Sequence, residues 1–507
     1  MPSHMPSGRI LILIVAYNAE CTLEKVLQRI PPRIYDYDYR ILIIDDSSCD
    51  GTVVSALTYK QQHQELNIEV LSNPENQGYG GNQKIGYQYA IEQGFDVVAL
   101  LHGDGQYAPE VLEEMVLPVL KGEAEAVMGT RMATRFEALR GGMPLYKYVG
   151  NKVLTGIQNR LLGTSLSEFH SGYRIYSVKA LSAVPFQYNT NEFHFDTEII
   201  VQFLLNRFRI REIPIPTYYG DEICYVNGLK YAWNVIKTTI TGVLNGMGIY
   251  YDKKYDIEGP HVFYGVKLGY PSSHTMALEE VRPGAMVLDV GCGEGLFARK
   301  LKEKGCRVHG LDKAEKVDDT AFDRYIRINL DHERINFPLE VYDYILLLDI
   351  IEHLESPEGL LDEFRDKMGT KKSIVLITVP NVAFFFVRIR FLFGHFQYGK
   401  RGILDFTHRR LFTFTSLRRL LEQCGYNIVD MKGIPAPFPK AIGDNWFSRA
   451  LLALNSMLIR VSRGFFSYQI FAKAVPLPTV TDLLERTRIA SHQLLVQKNH
   501  TRGNRTD

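Results

Sequence analysis

The sequence predicts an α/β protein with two separate sheet-forming units, and three observations support this prediction. The chain has 507 residues, which exceeds the roughly 250 to 300 residues at which a single hydrophobic core stops growing. Short apolar runs alternate with amphipathic stretches from residue 10 onward, as in strand, helix, strand units. The same pattern starts again far along the chain, where residues 287 to 295 read VLDVGCGEG. We therefore expect two domains.

The first half begins with a strand, helix, strand unit. The apolar run Ile10 to Val15 is too short for a helix, an amphipathic stretch follows around Leu23 and Ile30, and a second apolar run covers Arg40 to Ile44. Further short runs lie at residues 68–71, 97–101 and 126–128, and polar or glycine-rich residues follow each of them. This alternation predicts a parallel sheet whose ligand lies at the carboxyl ends of the strands.

Polar residues follow three of the predicted strands: Tyr17 and Asn18, then Asp45 and Asp46 of IDDSSCDGT, then the segment HGDGQ. In this order they resemble the inverting glycosyltransferases of family 2, which have the nucleotide-sugar-binding fold called GT-A, and among them the dolichyl-phosphate mannosyltransferase-like branch. The resemblance implies that the first two segments bracket the nucleoside. Asp46 would then accept from the base, with Asp45 or Tyr17 lining the same pocket.

Two later segments extend this resemblance. MGTRMA places Arg131, and FHSGYRIYS places Arg174, where that branch binds phosphates with arginines. A guanidinium suits this task because it is always charged and binds two oxygens at once. Asp196 of HFDTEII is the candidate general base for a hydroxyl acceptor, whereas a phosphate acceptor is already an anion and needs no base.

The segment HGDGQ departs from the metal motif of that family, which is aspartate, any residue, aspartate. Here the first acid is His102. Imidazole binds Mn²⁺ but is a poorer partner for Mg²⁺ than a carboxylate oxygen. We expect Asp104 to be the principal ligand, His102 and Gln106 to be auxiliary ligands, and Mn²⁺ at least to be tolerated. The metal would neutralise the departing diphosphate, which also gives Asp104 a catalytic role.

The second half begins with the glycine-rich turn. Gly291, Gly293 and Gly295 let the backbone turn tightly and approach a nucleoside. A second short strand at Arg307 to Leu311 ends at Asp312, where a carboxylate can hold ribose hydroxyls. A hydride-transfer enzyme would use nearly the same layout, so the glycines alone do not identify the cofactor.

Other segments identify it by resemblance. The form GCGEG, the later INLDHE and the strand-like YDYILLLDIIEHL together resemble class I S-adenosylmethionine-dependent methyltransferases, which have a Rossmann-like fold. The resemblance implies that Asp289 and Gly291 face the methionine part of the cofactor, with Asp312 on the ribose and Asp331 on the adenine. Gly293, Gly295 and Asp349 complete the cofactor site, and His353 could take a proton from the acceptor because imidazole titrates near neutrality.

The acceptor pocket of this half is expected from three segments, namely the aromatic residues 384–397, the turn with His408, Arg409 and Arg410, and the stretch near Trp446. Apolar side chains punctuated by basic ones suit a lipid-linked or glycosidic anion, and they also suit plain packing.

The composition limits the partners and the localisation that we expect. A net charge of +1 with 46% hydrophobic residues gives no support to a nucleic-acid partner. No apolar run reaches the length of a membrane span, and the scattered cysteines form no CxxC pair. We expect a cytoplasmic protein with at most peripheral contact at the inner membrane face. The expected boundaries are 9–245 and 276–480 for the two domains, 246–275 for a linker and 481–507 for a polar tail.

The main hypothesis is a bifunctional enzyme. Its first half would move a sugar from a nucleotide diphosphate to a glycan or a polyprenyl phosphate, and its second half would methylate the same glycan or glycolipid. The alternative is that one half, more plausibly the first because of His102, is inactive and binds substrate for the other. A dehydrogenase in the second half is a third reading, which NADH binding would support.

Overall fold

The computed structural model describes residues 6–133, 137–216, 227–256, 268–315, 320–369, 371, 373–484 and 487–488. These form two compact units. The first contains the described residues up to Gly246 together with 250–256 and 441–445, and the second contains 247–249, those from 268 to 440 and those from 446 onward. The expected linker lies outside the described residues at 257–267, as does most of the expected tail.

A seven-stranded sheet forms the centre of the first unit, in the order β3-β2-β1-β4-β6-β5-β7. Its strands are β1 (Arg9–Ala16), β2 (Asp38–Asp45), β3 (Ile68–Ser72), β4 (Val97–His102), β5 (Ala126–Thr130), β6 (Arg174–Ser177) and β7 (Ile210–Pro214). The first four strands pair in parallel, but β6 is antiparallel to both neighbours. The expectation of a parallel sheet is therefore confirmed for β1 to β4 and is wrong for β6. The antiparallel strand has only four residues, too few to show an apolar run.

Helices cover both faces of this sheet. They are α1 (Leu23–Gln28), α2 (Thr52–Gln62), α3 (Tyr79–Glu92), α4 (Leu112–Leu120), α5 (Glu137–Arg140), α6 (Leu145–Leu162), α7 (Val178–Ser182), α8 (Phe195–Leu205) and α9 (Gly228–Gly246). Ile10, Ile12 and Ile14 belong to the core on one face, and Leu11 and Leu13 to the core on the other. A strand buried on both faces reads as a continuous apolar run, which is why β1 was visible in the sequence.

The second unit also has a seven-stranded sheet, in the order β10-β9-β8-β11-β12-β14-β13. Its strands are β8 (Met286–Val290), β9 (Arg307–Asp312), β10 (Arg324–Arg327), β11 (Tyr344–Leu348), β12 (Ile374–Pro380), β13 (Tyr426–Ile434) and β14 (Gln469–Pro476). The strand β14 runs antiparallel to its neighbours β12 and β13, and the other four strand pairs of this sheet are parallel. The order places β8 beside β11, and between these two strands the strand order reverses, which is where ligands bind in such sheets.

The C-terminal half of the chain contributes the helices α10 (Ser273–Glu280), α11 (Leu296–Glu303), α12 (Pro357–Met368), α13 (Phe385–Leu392), α14 (Phe414–Gln423), α15 (Phe438–Ile442), α16 (Trp446–Val461) and α17 (Arg463–Phe466). Across the described parts of the whole chain, no helix combines the length and the apolar character that crossing a membrane requires.

Candidate functional sites

Two loops meet at the carboxyl edge of the first sheet. Because β1 and β2 are parallel neighbours, the loops that follow them lie side by side. The backbone N–H of Asn18 donates to Ser48 Oγ at 2.8 Å, and the N–H of Cys49 donates to Asn18 Oδ1 at 3.0 Å. Asn18 and Ser47 both adopt positive φ, 50° and 59°, a conformation that costs energy for non-glycine residues and clusters at functional sites. Tyr17 beside them is exposed.

The carboxylates of Asp45 and Asp46, at the end of β2, accept different hydrogen bonds. The Asp46 carboxylate accepts hydrogen bonds from Asn73 Nδ2 and Gln77 N, both at 2.8 Å, and from Gly78 N at 3.0 Å. It therefore holds the glycine-rich segment before α3 in place. Asp45 accepts from Ser48 N and Ser72 Oγ through Oδ2, but its buried Oδ1 has no hydrogen-bond partner among the described residues. Of the four carboxylate oxygens of this pair, Asp45 Oδ1 is thus a buried acceptor without a partner among the described residues.

The turn that follows β4 carries the predicted metal ligands. Asp104 is exposed, and its Oδ1 accepts from Gln106 N at 3.0 Å. The ring of His102 lies between those of Tyr79 and Tyr107, with centroids 5.6 and 5.2 Å away, and its buried Nε2 lacks a hydrogen bond within the described structure. Of the predicted set, Asp104 offers the accessible ligand atom and His102 an orphaned buried one.

Arg174 and Asp196 form a buried pair behind that turn. Arg174 is fully buried and donates to the carbonyl oxygens of Ser171, Phe169 and Asp196 at 2.8 to 3.0 Å. Its Nη2 lies 3.6 Å from Asp196 Oδ2, which accepts from the hydroxyl of Tyr79 at 2.7 Å. Burial would lower the pKa of Arg174, but Asp196 raises it overall. The guanidinium of Arg174, which the sequence predicts to bind phosphate, thus makes its hydrogen bonds inside the protein.

Arg131 is paired differently. Its N–H donates to Glu168 Oε2 at 2.8 Å, and its guanidinium also bonds the Glu168 carboxylate. Burial alone would raise the pKa of Glu168, but Arg131 and Asn151 lower it overall, so the carboxylate is charged. The Arg131 side chain remains 11% exposed. Glu168 was not found in the sequence, because one acid between Ser167 and Phe169 shows no periodic pattern.

The glycine-rich turn of the second unit has the geometry that its sequence implies. Gly291, Gly293 and Gly295 all have positive φ, between 52° and 77°. A Cβ at Gly291 would lie 1.9 Å from Ile350 Cδ1, whereas a Cβ at Gly293 would meet nothing within 4 Å. Gly293 N donates to Asp312 Oδ2 at 2.9 Å. The turn is therefore open on one side and tied to the carboxylate at the end of β9.

Asp289 is the buried acid of this site. It is 4% exposed, and burial, with a smaller contribution from the charge of Asp312, raises its pKa to about 7. A cation near this carboxyl group would stabilise its charged form, because a positive charge would offset the lost solvation.

The remaining predicted cofactor residues lie in ordered turns. Asp331 Oδ1 accepts from Glu355 N at 2.9 Å. Asp349, directly after β11, has a φ of 58° and accepts from Thr378 Oγ1 at 2.7 Å and Gln469 Nε2 at 3.0 Å. Positive φ at a residue other than glycine costs on the order of 1–3 kcal/mol, so the surrounding bonds hold Asp349 in place.

His353 lies one turn beyond Asp349. Burial, and next the charge of His408, lower its pKa. The two imidazole rings lie 4.8 Å apart. Glu352, His353 and His408 place one ligand atom each within 4.8 Å of one another, and among the described residues they form the one such group of three.

Comparison with known proteins assigns both units. The glycosyl transferase family 2 model matches residues 11–184, and a methyltransferase domain model matches residues 270–431. The chain joins a family 2 glycosyltransferase domain to a methyltransferase domain.

Relatives of each domain agree with this assignment. The glycosyltransferase domain is similar to UDP-N-acetylglucosamine--dolichyl-phosphate N-acetylglucosaminyltransferase of Methanococcus voltae, with 29% identity over 43% of this chain and 88% of the relative. It is also similar to undecaprenyl-phosphate mannosyltransferase of Micrococcus luteus, with 26% identity over 42% of this chain and 85% of the relative. The methyltransferase domain is similar to ubiquinone biosynthesis O-methyltransferase of Coxiella burnetii, with 26% identity over 30% of this chain and 67% of the relative.

The methyltransferase domain also has an apolar cleft of about 450 Å³ after β12, lined by Val382, Val387, Arg388, Phe391, Leu392, Phe396 and Leu411. Leu392 is 84% exposed at its rim. Five of these residues belong to the aromatic segment 384–397, where the sequence predicts the acceptor pocket.

Proposed function

We propose that the glycosyltransferase domain transfers a sugar from a nucleotide diphosphate to a polyprenyl phosphate or a glycan, and that the methyltransferase domain methylates the same glycan or glycolipid with S-adenosylmethionine. The observation that carries the proposal is that one chain contains two sheets, each with polar groups suited to a ligand at the carboxyl ends of its strands. Asp45 at the end of β2 and Asp104 after β4 lie at the carboxyl ends of the first sheet, and the open glycine turn with Asp289 and Asp312 lies at the carboxyl ends of the second.

In the glycosyltransferase domain, Asp45 is proposed to accept from the nucleoside through its spare Oδ1, beside Tyr17 and Asn18. Asp46 supports the pocket by holding the glycine-rich segment. Asp104 would hold the divalent metal, Mn²⁺ or Mg²⁺, which neutralises charge on the departing diphosphate when bound. Arg131 is the arginine with side-chain surface left for a phosphate.

The contacts of Asp196 favour a polyprenyl phosphate over a hydroxyl acceptor. Asp196 is held by Tyr79 and faces Arg174 at 3.6 Å, so its charge is already compensated. A phosphate acceptor needs no general base, and the printed names of both relatives of this domain include a prenyl phosphate. In this proposal Arg174 positions Asp196 and the loop around Ser171 instead of touching substrate.

In the methyltransferase domain, Asp289 and Gly291 would face the methionine part of the cofactor, and Asp312 and Asp331 the ribose and adenine. Asp349 would complete the cofactor site. The sulfonium already activates the methyl group, so the protein's main task is to align it with the acceptor. His353 is the titratable group proposed to act at the acceptor oxygen.

One experiment tests both activities. The full chain is incubated with undecaprenyl phosphate, Mn²⁺, a panel of labelled UDP and GDP sugars and S-adenosylmethionine labelled at its methyl group. Both labels should enter one organic-phase product, Asp104→Asn should remove the sugar label, and the exposed Asp36→Asn should leave it unchanged. Methyl label on an unrelated molecule alone would defeat the shared substrate.

The second candidate is that the glycosyltransferase domain binds substrate without turnover. The burial of His102 Nε2, in a turn where a family metal ligand is expected, favours it. Binding of nucleotide sugar detected by thermal shift, with no release of nucleoside diphosphate in the presence of Mn²⁺, would support this candidate over catalysis.

A further inference from the structure

We propose that Glu352, His353 and His408 bind a divalent transition-metal ion in the methyltransferase domain, a site separate from the metal site of the glycosyltransferase domain. One atom from each residue lies within 4.8 Å of the others. Two imidazoles and one carboxylate are a ligand set suited to Zn²⁺, Co²⁺ or Fe²⁺ rather than to Mg²⁺. We refer to these three residues as the Glu-His-His cluster.

The tautomer of His353 follows from its neighbours. The hydroxyl of Thr407 donates its proton to Asp405 Oδ1 at 2.7 Å. The Thr407 oxygen, 3.0 Å from His353 Nδ1, must therefore accept, and the proton of the imidazole is on Nδ1. This leaves the lone pair of His353 Nε2 available to an ion.

His408 is fixed in the same way. Its Nδ1 lies 3.0 Å from the carbonyl oxygen of Ile403, and a carbonyl oxygen can only accept. Its Nε2 therefore also presents a lone pair. Histidines that bind metals donate the other ring N–H to a carbonyl or carboxylate-linked partner in this manner, and here two histidines do so side by side.

The backbone holds the two segments of the Glu-His-His cluster together. The carbonyl oxygen of Glu352 accepts from the N–H groups of Arg409 and Arg410 at 2.8 and 3.0 Å. The ligand atoms around a tetrahedral ion with bonds of about 2.0 to 2.1 Å lie roughly 3.4 Å apart. The 4.8 Å limit of the cluster exceeds this spacing, so binding of an ion would draw the three ligand atoms closer together.

The position of the cluster suggests its role, and this part of the inference rests on the proposed methyl transfer. Glu352 and His353 follow β11, and His408 comes three residues before Leu411 of the apolar cleft. Three protein ligands leave coordination positions for an acceptor hydroxyl, whose pKa a bound cation lowers. The hydroxyl proton would pass to solvent, the oxygen would take the methyl group, and the S–C bond would break with its electron pair remaining on the neutral thioether. His353 would then be a ligand and not a free base.

Metal content is the test, and it is independent of activity. The full chain carrying Asp104→Asn, which weakens the other candidate metal site, is stripped with chelator, reloaded with Zn²⁺ or Co²⁺ and freed of excess ion. We expect one ion per chain, with cobalt absorption bands typical of nitrogen ligands. Adding His408→Gln or Glu352→Gln should weaken binding at least tenfold, while His332→Gln, at an exposed histidine of the same unit, should not.

Binding of S-adenosylhomocysteine, measured by thermal shift on each variant, separates the possible failures. A variant that keeps this shift is folded, so its metal content is decisive. If His408→Gln does not fold, the isosteric Glu352→Gln decides. Equal metal content in the parent and the folded cluster variants would overturn the site. Metal binding without S-adenosylhomocysteine binding would leave the site standing and overturn the proposed methyl transfer.

Discussion

Replacing Asp289 with asparagine should stabilise the ligand-free methyltransferase domain at alkaline pH. The folded pKa of Asp289 is about 7, against 3.8 for an unperturbed aspartate. A raised pKa contributes stability that is fully present below about pH 4 and is lost as pH rises through 7. The difference of about three pH units corresponds to at most about 4 kcal/mol at pH 8. Asparagine resembles the neutral carboxyl and avoids this loss.

The measurement is urea unfolding at pH 5 and pH 8, following the transition that S-adenosylhomocysteine shifts, which identifies the methyltransferase domain. Asp289→Asn should already be more stable than the parent by about 1.6 kcal/mol at pH 5, because the unfolded carboxyl with its pKa of 3.8 is ionised there while the folded one is not. At pH 8 the advantage of the variant should reach about 4 kcal/mol. Asp366→Asn, at an exposed position on α12, provides the matched control and should show no pH-dependent difference.

Ionisation of Asp289, which should destabilise the ligand-free domain, should strengthen cofactor binding. In the proposed site the ammonium group of the cofactor would lie beside Asp289 and favour its carboxylate, so binding near neutral pH should release a proton. Affinity should rise by up to tenfold per pH unit between pH 5 and 7, and Asp289→Asn should remove this rise along with most of the affinity. Calorimetry in buffers of different ionisation enthalpy counts the proton. A stability difference of equal size at both pH values, or no proton release, would refute the reasoning.

Three further predictions follow from the contacts. Asp46→Asn should destabilise the glycosyltransferase domain by roughly 2–4 kcal/mol, because a buried acceptor of three hydrogen bonds is lost, whereas Asp45→Asn should mainly weaken nucleotide binding; urea unfolding and nucleotide-induced thermal shift separate the two. Burial lowers the pKa of His170 to about 4, so the parent should lose up to about 3 kcal/mol relative to His170→Gln as pH falls from 6.5 to 4; equal pH profiles in urea unfolding would contradict this. Phe391→Ser should raise the KM for an acceptor with an apolar tail at least fivefold, and Val429→Ser, also exposed, should leave it unchanged; a rise in both would show that the cleft is not specific.

The sequence predicted the elements whose pattern is imposed by burial. The run from Ile10 to Val15 was predicted as a strand, and the structure shows it buried on both faces. The glycines at 291, 293 and 295 were predicted to form a tight turn, and each of them has positive φ. The sequence did not predict the antiparallel strand β6 or the pairing of Glu168 with Arg131. Both depend on pairing between segments distant in the chain, and no local periodicity encodes such pairing.

The same distinction between local pattern and distant pairing applies to the candidate site residues. A motif fixes where a residue lies relative to a strand, and in the structure Asp45 ends β2, Asp104 follows β4 and Asp289 lies within β8. It does not fix which atom of that residue remains available after neighbouring donors have bonded. Asp46 and Arg174 illustrate this, since both have the residue type that a ligand would require, but three hydrogen bonds occupy the carboxylate of the first, and backbone carbonyls and Asp196 occupy the guanidinium of the second.

The Glu-His-His cluster shows the converse case, in which tertiary structure creates a site from residues that the sequence treated separately. His353 was singled out as a base and His408 as part of an acceptor pocket, more than fifty positions apart in the chain. Their rings come together because the carbonyl of Glu352 binds two N–H groups of the later turn, and Thr407 and Ile403 then orient both Nε2 atoms. The same hydrogen bonds that would keep His353 neutral for proton transfer also make it a metal ligand. Thr407→Val distinguishes these roles: it should weaken metal binding tenfold to a hundredfold if the hydroxyl orients a ligand, whereas a loss of activity with metal affinity intact would favour the free base.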